Sequence, residues 1–509
     1  MRSRLVRLPI PAFLALLLLT GAAPALSAQA PPQPEPPPAL DRLPALTPAI
    51  TRAEIEHHVR FLASDELAGR FTGTQEAARA ARYLAEALRA SGVQPGGDAG
   101  TFLQKVPFER TRAKSAPELV VTPKQGPPRK AVYGADFDFP LGIAVATPAL
   151  PLLVVRNEPM MPMKSDPAAA LFLDGTRSDR RRILTKRGDA AANGWGLRVG
   201  KGRAEAGAPR PIGDGWSPAA PPRAHFDVWL ELNGDLLEQA RSGAIATLQL
   251  TAEVEREEVP AYNVIGVLRG TAEGKLGREA IVLSAHYDHL HSHADDEPGQ
   301  AGPKPDLIFN GADDDASGCA AVLELAGHHA SVAKPARTLV FLLATGEEIG
   351  LVGTKHYLDH PVVPLEHTVA NLNFEMIGRP DEKAGGPGRL WFTGWDLTNL
   401  GAAFAEAQLP IAVDPRPDQN FFERSDNIAF VRRGIVGQTF SSYDLHADYH
   451  RVSDEADKLD YAHMEQCVRA AADAVGLVAS GKVRPEWLPG KDPSARSTGG
   501  ARPADEQPR

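Results

Sequence analysis

The sequence has 509 residues, 43% of them hydrophobic, and a formal charge of −9 from 55 Lys and Arg against 64 Asp and Glu. A chain of this length buries at least one large core and has room for several domains. No basic block is interleaved with aromatic residues, which argues against nucleic acid as a partner. The two cysteines, Cys319 and Cys467, are too few for a disulfide framework or a thiolate zinc site, although an oxidising compartment permits them to pair.

Residues 1–28 have the pattern of a secretory signal peptide. Three arginines precede the apolar stretch Ala12–Leu19, and the small residues Ala22–Ala28 follow it. A membrane span needs roughly 20 apolar residues, and prolines interrupt this stretch. We therefore predict an exported protein, periplasmic or extracellular, without a stable membrane anchor in its mature form.

The composition and the pattern of apolar residues change several times along the rest of the chain. Residues 29–48 are proline-rich and predict an extended linker, and 49–110 read mainly as helices. Residues 111–256 contain short apolar runs between Pro and Gly turns, which predict an inserted β-rich domain. In 257–485, apolar strands alternate with helices, which predicts an α/β fold with a mixed, mostly parallel sheet and helices on both faces. The polar tail, 486–509, is expected to be disordered.

Acidic and imidazole side chains follow three of the apolar strands of the α/β region. AIVLSA is followed by His286 and Asp288, TLVFLLAT by Glu347 and Glu348, and NLNF by Glu375. In such sheets, ligands bind beyond the carboxyl ends of the strands. These residue types are metal ligands and general bases, so the sequence predicts a metal site at this edge.

Two further segments supply the same chemistry. NGADDDASG places three consecutive acids before an apolar helix, where they repel each other unless a cation compensates, and Asp314 is the middle one. Late in the chain, Tyr449 and His450 offer a phenol that can donate to an oxyanion and a further imidazole. The spacing of His286 and Asp288 suits an imidazole ligand whose outer nitrogen is held by a carboxylate. His289, by contrast, begins an acid-rich loop and is expected, with His291 and His293, to be solvated.

These segments resemble the co-catalytic zinc aminopeptidase family, which also includes glutamate carboxypeptidases and a non-catalytic receptor. The strings SAHYDHL, NGADDDASG, ATGEEIG, NLNFEMIG and ADYHRVSDEADKLDY occur in the family's order, and FLASDELAGRFTGT resembles its N-terminal segment. The resemblance covers roughly 50–108 and 261–481. It implies one zinc-peptidase domain formed by 49–110 and 257–485, interrupted at 111–256 by a domain similar to protease-associated domains.

The resemblance also implies the roles of individual residues. It implies two Zn²⁺ ions held by five ligands, His286, Asp314, Glu348, Glu375 and His450. Asp314 would bridge the ions. Glu375 departs from the pattern, because the family usually has Asp at this position.

The implied activity is hydrolysis of peptides by metal-activated water, with Glu347 as general base, Asp288 orienting His286 and Tyr449 stabilising the oxyanion. The motif strings favour an aminopeptidase. Several arginines near the motifs leave a carboxypeptidase open, since such an enzyme needs a cation for the terminal carboxylate: Arg379, Arg424, Arg432 and Arg433. A glutaminyl cyclase, which works with one zinc, and an inactive receptor-like module are further alternatives.

Overall fold

The computed structural model describes residues 48–140, 142–155, 166–174, 197–202, 204–205, 217–218, 230–290, 306–332 and 334–495. The predicted signal peptide, nearly all of the predicted linker, and the loop histidines His291 and His293 lie outside these residues. In the described part of the chain, no helix is long and apolar enough to cross a membrane.

The described residues form β-strands in two large sheets and one small sheet, and α-helices that cover the sheets. The strands are β1 Gln94–Pro95, β2 Leu103–Lys105, β3 Glu109–Ala113, β4 Glu118–Pro123, β5 Arg129–Ala131, β6 Phe137–Asp138, β7 Val145–Ala146, β8 Leu150–Val155, β9 Ala170–Leu173, β10 Leu197–Lys201, β11 Ser217–Pro218, β12 Leu230–Leu232, β13 Ile245–Ala252, β14 Val254–Glu258, β15 Tyr262–Leu268, β16 Ala280–His286, β17 Thr338–Ala344, β18 Thr368–Phe374, β19 Leu390–Phe392, β20 Ile411–Val413 and β21 Val436–Ser441. The helices are α1 Arg52–Leu62, α2 Gln75–Ala90, α3 Gly234–Ser242, α4 Gly274–Arg278, α5 Gly318–Ser331, α6 Val352–Asp359, α7 Leu400–Glu406, α8 Asn427–Val431 and α9 Tyr461–Ala479.

The main sheet has the strand order β1-β15-β17-β16-β18-β21-β19-β20, with β2 also paired to β15. Its four central strands, β17, β16, β18 and β21, are parallel. Antiparallel pairs flank them, β15 on β17 at one side and β19 on β21 at the other. The predicted α/β class with a mixed sheet is therefore confirmed, and the parallel part is the centre.

Helices cover both faces of the main sheet. All residues of β16, β17 and β18 are buried, which explains why these strands are continuously apolar rather than alternating. Side chains at alternate positions, such as Leu283 and Phe341, pack under α1, α2, α5 and α9. The intervening positions, such as Val282 and Leu342, pack under α6 and α8.

Side-chain caps mark the N-termini of three long helices. The side chain of Thr51 accepts from the N–H of Glu54, and that of Thr74 accepts from the N–H of Ala77. Asp460 caps α9 by accepting from two backbone N–H groups. Such caps stabilise a helix by about 1 kcal/mol each.

The segment 109–258 is here called the insert, and its described residues form sheets separate from the main sheet. One sheet has the order β5-β4-β13-β8-β9-β10-β12-β6, with β7 paired to β13, and its core includes Phe172, Val199 and Leu248. The helix α3 packs on the same core through Leu236 and Leu237. A three-stranded sheet, β11-β3-β14, contains the first and last strands of the insert.

The start of the predicted disordered tail is ordered, so this prediction is wrong for residues 486–495. Trp487 bridges to Thr398, and the N–H of Leu488 donates to the carbonyl of Leu397 at 2.9 Å. The partly buried Trp487 ring packs on the hydrophobic core and holds the segment there. Cys319 and Cys467 are both buried and unpaired.

Candidate metal centre

The carboxyl ends of three parallel strands meet at one edge of the main sheet. β16 ends at His286, whose Cα pairs in register with Ala344 at the end of β17. Glu347 and Glu348 follow β17 within four residues, and Glu375 directly follows β18. The topology thus brings together the strand-end residues that the sequence singled out.

The first donor cluster consists of His286, Asp314 and Glu375. His286 Nε2 lies 3.3 Å from Asp314 Oδ1 and 3.3 Å from Glu375 Oε1. Burial alone would lower the pKa of His286, but the carboxylates of Glu375 and Asp314 outweigh it and raise the pKa well above its usual range. The two carboxylates therefore stabilise a positive charge at a buried position.

Glu375, which departs from the family pattern, is held by a hydroxyl at one of its two carboxylate oxygens. Its Oε2 accepts a 2.6 Å hydrogen bond from Ser425 Oγ, while Oε1 faces His286. Ser425 Oγ in turn accepts from Asn373 Nδ2 at 2.8 Å. The extra methylene of Glu is thus accommodated by a fixed hydroxyl, which leaves one carboxylate oxygen for a metal.

The second donor cluster contains Asp314, Glu348 and His450. His450 Nε2 lies 3.1 Å from Asp314 Oδ2 and 3.4 Å from Glu348 Oε2. Burial lowers the pKa of His450, but the hydrogen bonds that its ring donates to Asp314 and Glu348 outweigh burial and raise the pKa to about 10. The pKa of Glu348 falls to about 2, because its imidazole contacts outweigh burial and the repulsion from Asp314.

His289 lies in this second cluster, so the prediction of a solvated loop residue is wrong. Its side chain is fully buried, and Nδ1 lies 2.8 Å from Glu348 Oε1. The sequence offered one signal for this placement, since His289 stands only three residues after His286, directly beyond a buried strand.

Asp314 contributes one oxygen to each cluster. Burial would raise its pKa, but His289, His286 and His450 outweigh that effect and hold the pKa well below its usual range. A fully buried carboxylate that stays ionised between imidazoles can bridge two cations.

Glu347 lies beside the two clusters. Its pKa is raised well above the usual range by burial and by the nearby Glu348 and Glu375 carboxylates, against the opposing field of His286. A carboxylate with a raised pKa is a better proton acceptor, as a general base requires.

Asp288 makes a different contact from the one expected. His286 Nδ1 lies 3.0 Å from the backbone carbonyl of Asp288 and 3.8 Å from its carboxylate. The carboxylate instead accepts from the N–H of Glu347 at 3.1 Å. Asp288 therefore orients His286 through its main chain and positions the strand-end Glu347 through its side chain.

A buried network holds the loop that contains Asp314. The Asp454 carboxylate accepts from the N–H groups of Asp313 and Asp314 at 3.0 and 3.1 Å. Asp313 accepts from the N–H of Gly378 at 2.7 Å, and its Oδ2 lies 3.0 Å from His446 Nε2. The network ties this loop to the loop of Tyr449 and His450.

Arg70 is a buried residue of the site that sequence reasoning missed. Its guanidinium is fully buried and donates to the carbonyls of Gly311, at 2.6 Å, and Leu62, at 3.0 Å, and also to that of Asn310. Arg70 lies within FLASDELAGRFTGT, the N-terminal string of the resemblance, but that string assigned no role to this side chain and the segment has no clear periodicity. It places one positive charge behind the acidic loop.

A cleft opens beside Glu375 and Tyr449. Aromatic side chains line much of it, including Trp391, Phe421 and Tyr443. The Tyr449 ring stacks on His450 with centroids 3.9 Å apart. Burial raises the pKa of the Tyr449 hydroxyl, so it remains a hydrogen-bond donor.

The donor set fits zinc. Each cluster combines imidazole with carboxylate, which are zinc ligands, and Glu348 Oε1 and both ring nitrogens of His289 have no hydrogen-bond partner within the described chain. Without a metal, the carboxylates draw positive charge from protonated imidazoles. A divalent cation would supply that charge and release the protons.

The parallel strands of this α/β fold thus present imidazole and carboxylate donors at their carboxyl edge, which makes this edge a candidate metal centre. Residues 263–475 match the model of peptidase family M28, and this part of the chain belongs to that family. The family resemblance stated from the motifs is thereby confirmed.

Individual relatives agree with this assignment. The chain is 34% identical over 164 residues to leupeptin-inactivating enzyme 1 of Streptomyces exfoliatus, a match that covers 31% of this chain and 35% of that protein. It is 28% identical over 206 residues to a vacuolar membrane protease of Clavispora lusitaniae, covering 40% of this chain and 18% of that protein. The matches thus span only a minor part of the relatives' own length.

The fold is also similar to that of a solved aminopeptidase from Aneurinibacillus sp. strain AM-1. The two superpose with a TM-score of 0.51 and 18% sequence identity, over 87% of this chain and 96% of that chain. At this level of identity, the likeness concerns the fold.

Proposed function

We propose that this chain is a zinc-dependent aminopeptidase that removes N-terminal residues from peptides. The proposal rests on the position of Asp314, whose two carboxylate oxygens each belong to one of the two clusters of imidazole and carboxylate groups. Glu347 lies beside these clusters. Two Zn²⁺ ions are the proposed cofactors, one with His286 and Glu375 and the other with Glu348 and His450.

The proposed mechanism divides the work among side chains of the site. Zinc held by these donors would supply Lewis acidity toward the substrate carbonyl and toward water. Glu347 accepts the proton of the attacking water and passes it to the leaving amine. Tyr449, which faces the cleft beside His450, donates a hydrogen bond to the oxyanion that forms on the carbonyl oxygen.

A carboxypeptidase is the second candidate, and the position of Arg424 in the cleft favours it. Arg379 is paired with Asp448 at 2.8 Å, and Arg433 with Asp359, so both are engaged elsewhere. Arg424 lines the cleft over the rings of Phe421 and Tyr449, and within the described chain no carboxylate forms an ion pair with it. It is therefore available to a substrate carboxylate.

Peptides with free or blocked ends distinguish these candidates. For an aminopeptidase, we expect cleavage of peptides with a free N-terminus whether or not the C-terminus is amidated, and complete loss of activity with a zinc chelator. Acetylation of the N-terminus should abolish cleavage. Cleavage of N-acetylated peptides that requires a free C-terminal carboxylate, and that is lost in Arg424→Gln, would establish the carboxypeptidase instead.

We also propose that the protein is exported and that the insert is similar to a protease-associated domain. Export is supported by the arginines, apolar stretch and small residues of 1–28. The insert proposal is supported by its separate sheets and core. Mass spectrometry of the exported fraction tests export, since the processed chain should begin between residues 26 and 31.

A further inference from the structure

His289 has an environment that no role described so far explains. Its imidazole is fully buried in the second donor cluster, with Nδ1 at 2.8 Å from Glu348 Oε1 and 3.9 Å from Asp314 Oδ2. The ring stands edge-on to the ring of His450, with centroids 5.7 Å apart and planes at 69°. Two imidazoles and two carboxylates therefore surround one small space.

The short contact between His289 and Glu348 is not a hydrogen bond. Neither ring nitrogen of His289 nor Glu348 Oε1 has a hydrogen-bond partner among the described residues, because the ring does not direct its nitrogen at the oxygen. Buried polar atoms without partners are costly and rare. Two such atoms held close together, but not aimed at each other, are the arrangement expected when both bind one cation.

The position of the ring is fixed by the backbone. Gly311 adopts a left-handed conformation with φ of 55°, and a Cβ atom there would lie 2.5 Å from Cδ2 and Cγ of His289. The carbonyl of Gly311 is held by Arg70. The imidazole is thus packed directly on the loop that contains Asp314, and only glycine leaves room for it.

We propose that His289 Nδ1 is a sixth protein ligand of the metal centre, bound to the same ion as Asp314, Glu348 and His450. The inference rests on the proposed two-metal centre and adds a ligand outside the five that the resemblance implied. The ion near His289 then has four protein donors, whereas the ion of His286, Asp314 and Glu375 has three. A four-donor site is closed and binds zinc tightly, while a three-donor site keeps a position for water or substrate.

The test measures metal binding rather than turnover. Purified full-length protein is stripped with a chelator and titrated with Zn²⁺ against a chromophoric chelator, and X-ray absorption of the reloaded protein counts imidazoles per zinc. We expect two zinc ions and three imidazoles in the wild type. His289→Gln keeps an amide that can donate to Glu348 but is a poor zinc ligand. We expect this variant to bind one ion more than about 100-fold more weakly, beyond the 10–100-fold effect of losing a partner outside the coordination sphere.

His329→Gln is the matched control, because His329 is also a buried histidine but lies in α5 outside the metal centre. It should keep both zinc affinities. A wild type that binds two ions with only two imidazoles, or a His289→Gln variant with unchanged affinities, overturns this inference and leaves the proposed function intact. A wild type that binds no zinc overturns the proposed function itself. The imidazole count on the wild type decides the question even if the variant fails to fold.

Discussion

The buried guanidinium of Arg70 donates a 2.6 Å hydrogen bond to the carbonyl of Gly311, 241 residues further along the chain. This contact joins the segment between α1 and α2 to the loop that presents Asp314. The helical N-terminal segment is therefore part of the metal centre, although it supplies none of the proposed ligands.

We expect Arg70→Met to destabilise the protein by roughly 3 kcal/mol or more, because it leaves buried carbonyls without donors. Arg70→Lys should recover only part of the loss, since an ammonium cannot reproduce the planar set of donors. Thermal unfolding with and without zinc measures both effects, and zinc should stabilise the variants less than the wild type. Arg79→Met, which removes a more exposed arginine paired with Glu66 at 2.8 Å, is the control and should change little.

We expect Glu347→Gln to lower kcat by about 10²–10⁴-fold while the zinc content stays at the wild-type value, since the side chain transfers a proton and is not among the ligands. Turnover of a chromogenic aminoacyl substrate and elemental analysis provide the two measurements. Glu366→Gln, on an exposed turn, serves as the control. Near-normal turnover in Glu347→Gln would show that Glu347 is not the general base.

We expect Ser425→Ala to weaken the binding of one zinc ion by about 10–100-fold, because Glu375 Oε2 loses its hydrogen-bond donor. Glu375→Asp should weaken the binding of the same ion, since the shorter side chain cannot reach both Ser425 and the position beside His286. In the double variant, the two effects should be less than additive, because both substitutions break the same contact. Fully additive losses in zinc titrations would show that Ser425 acts independently of Glu375.

Glu324, on α5 and away from the metal centre, gives a pH dependence of stability. Burial and the neighbouring Glu54 raise its pKa from 4.5 to about 8. His58, with Nε2 3.8 Å away, cannot balance the charge, since burial lowers its own pKa to about 3. Between pH 4.5 and 8, the folded protein keeps a proton that the unfolded chain releases, so this group's contribution to the unfolding free energy falls as pH rises.

We therefore expect Glu324→Gln to match the wild type near pH 4.5 and to be more stable above pH 8, by on the order of 5 kcal/mol. Denaturant unfolding of both proteins across this pH range gives the difference, in which the contributions of other titrating groups cancel. A difference that does not grow with pH would mean that Glu324 is ionised in the folded protein at neutral pH.

The sequence allowed the fold class and much of the site to be predicted, because parallel strands place their carboxyl ends at a common edge. His286, Glu347, Glu348 and Glu375 each follow a recognisable apolar run, so their convergence follows from topology. His289 was misplaced because its burial depends on how the loop turns back toward Gly311, which no periodicity encodes. Arg70 was missed for a related reason, since its partners are backbone carbonyls distant in sequence.

The pairing of β3 with β14 brings the two ends of the insert together, with Glu109 opposite Glu258 and Ala113 opposite Val254. The chain thus leaves the main body and returns to it at adjacent backbone positions, as it would around a hairpin turn. Because the span between these positions does not depend on what lies beyond the paired strands, the insert can lengthen, shorten or diverge without moving either part of the metal centre.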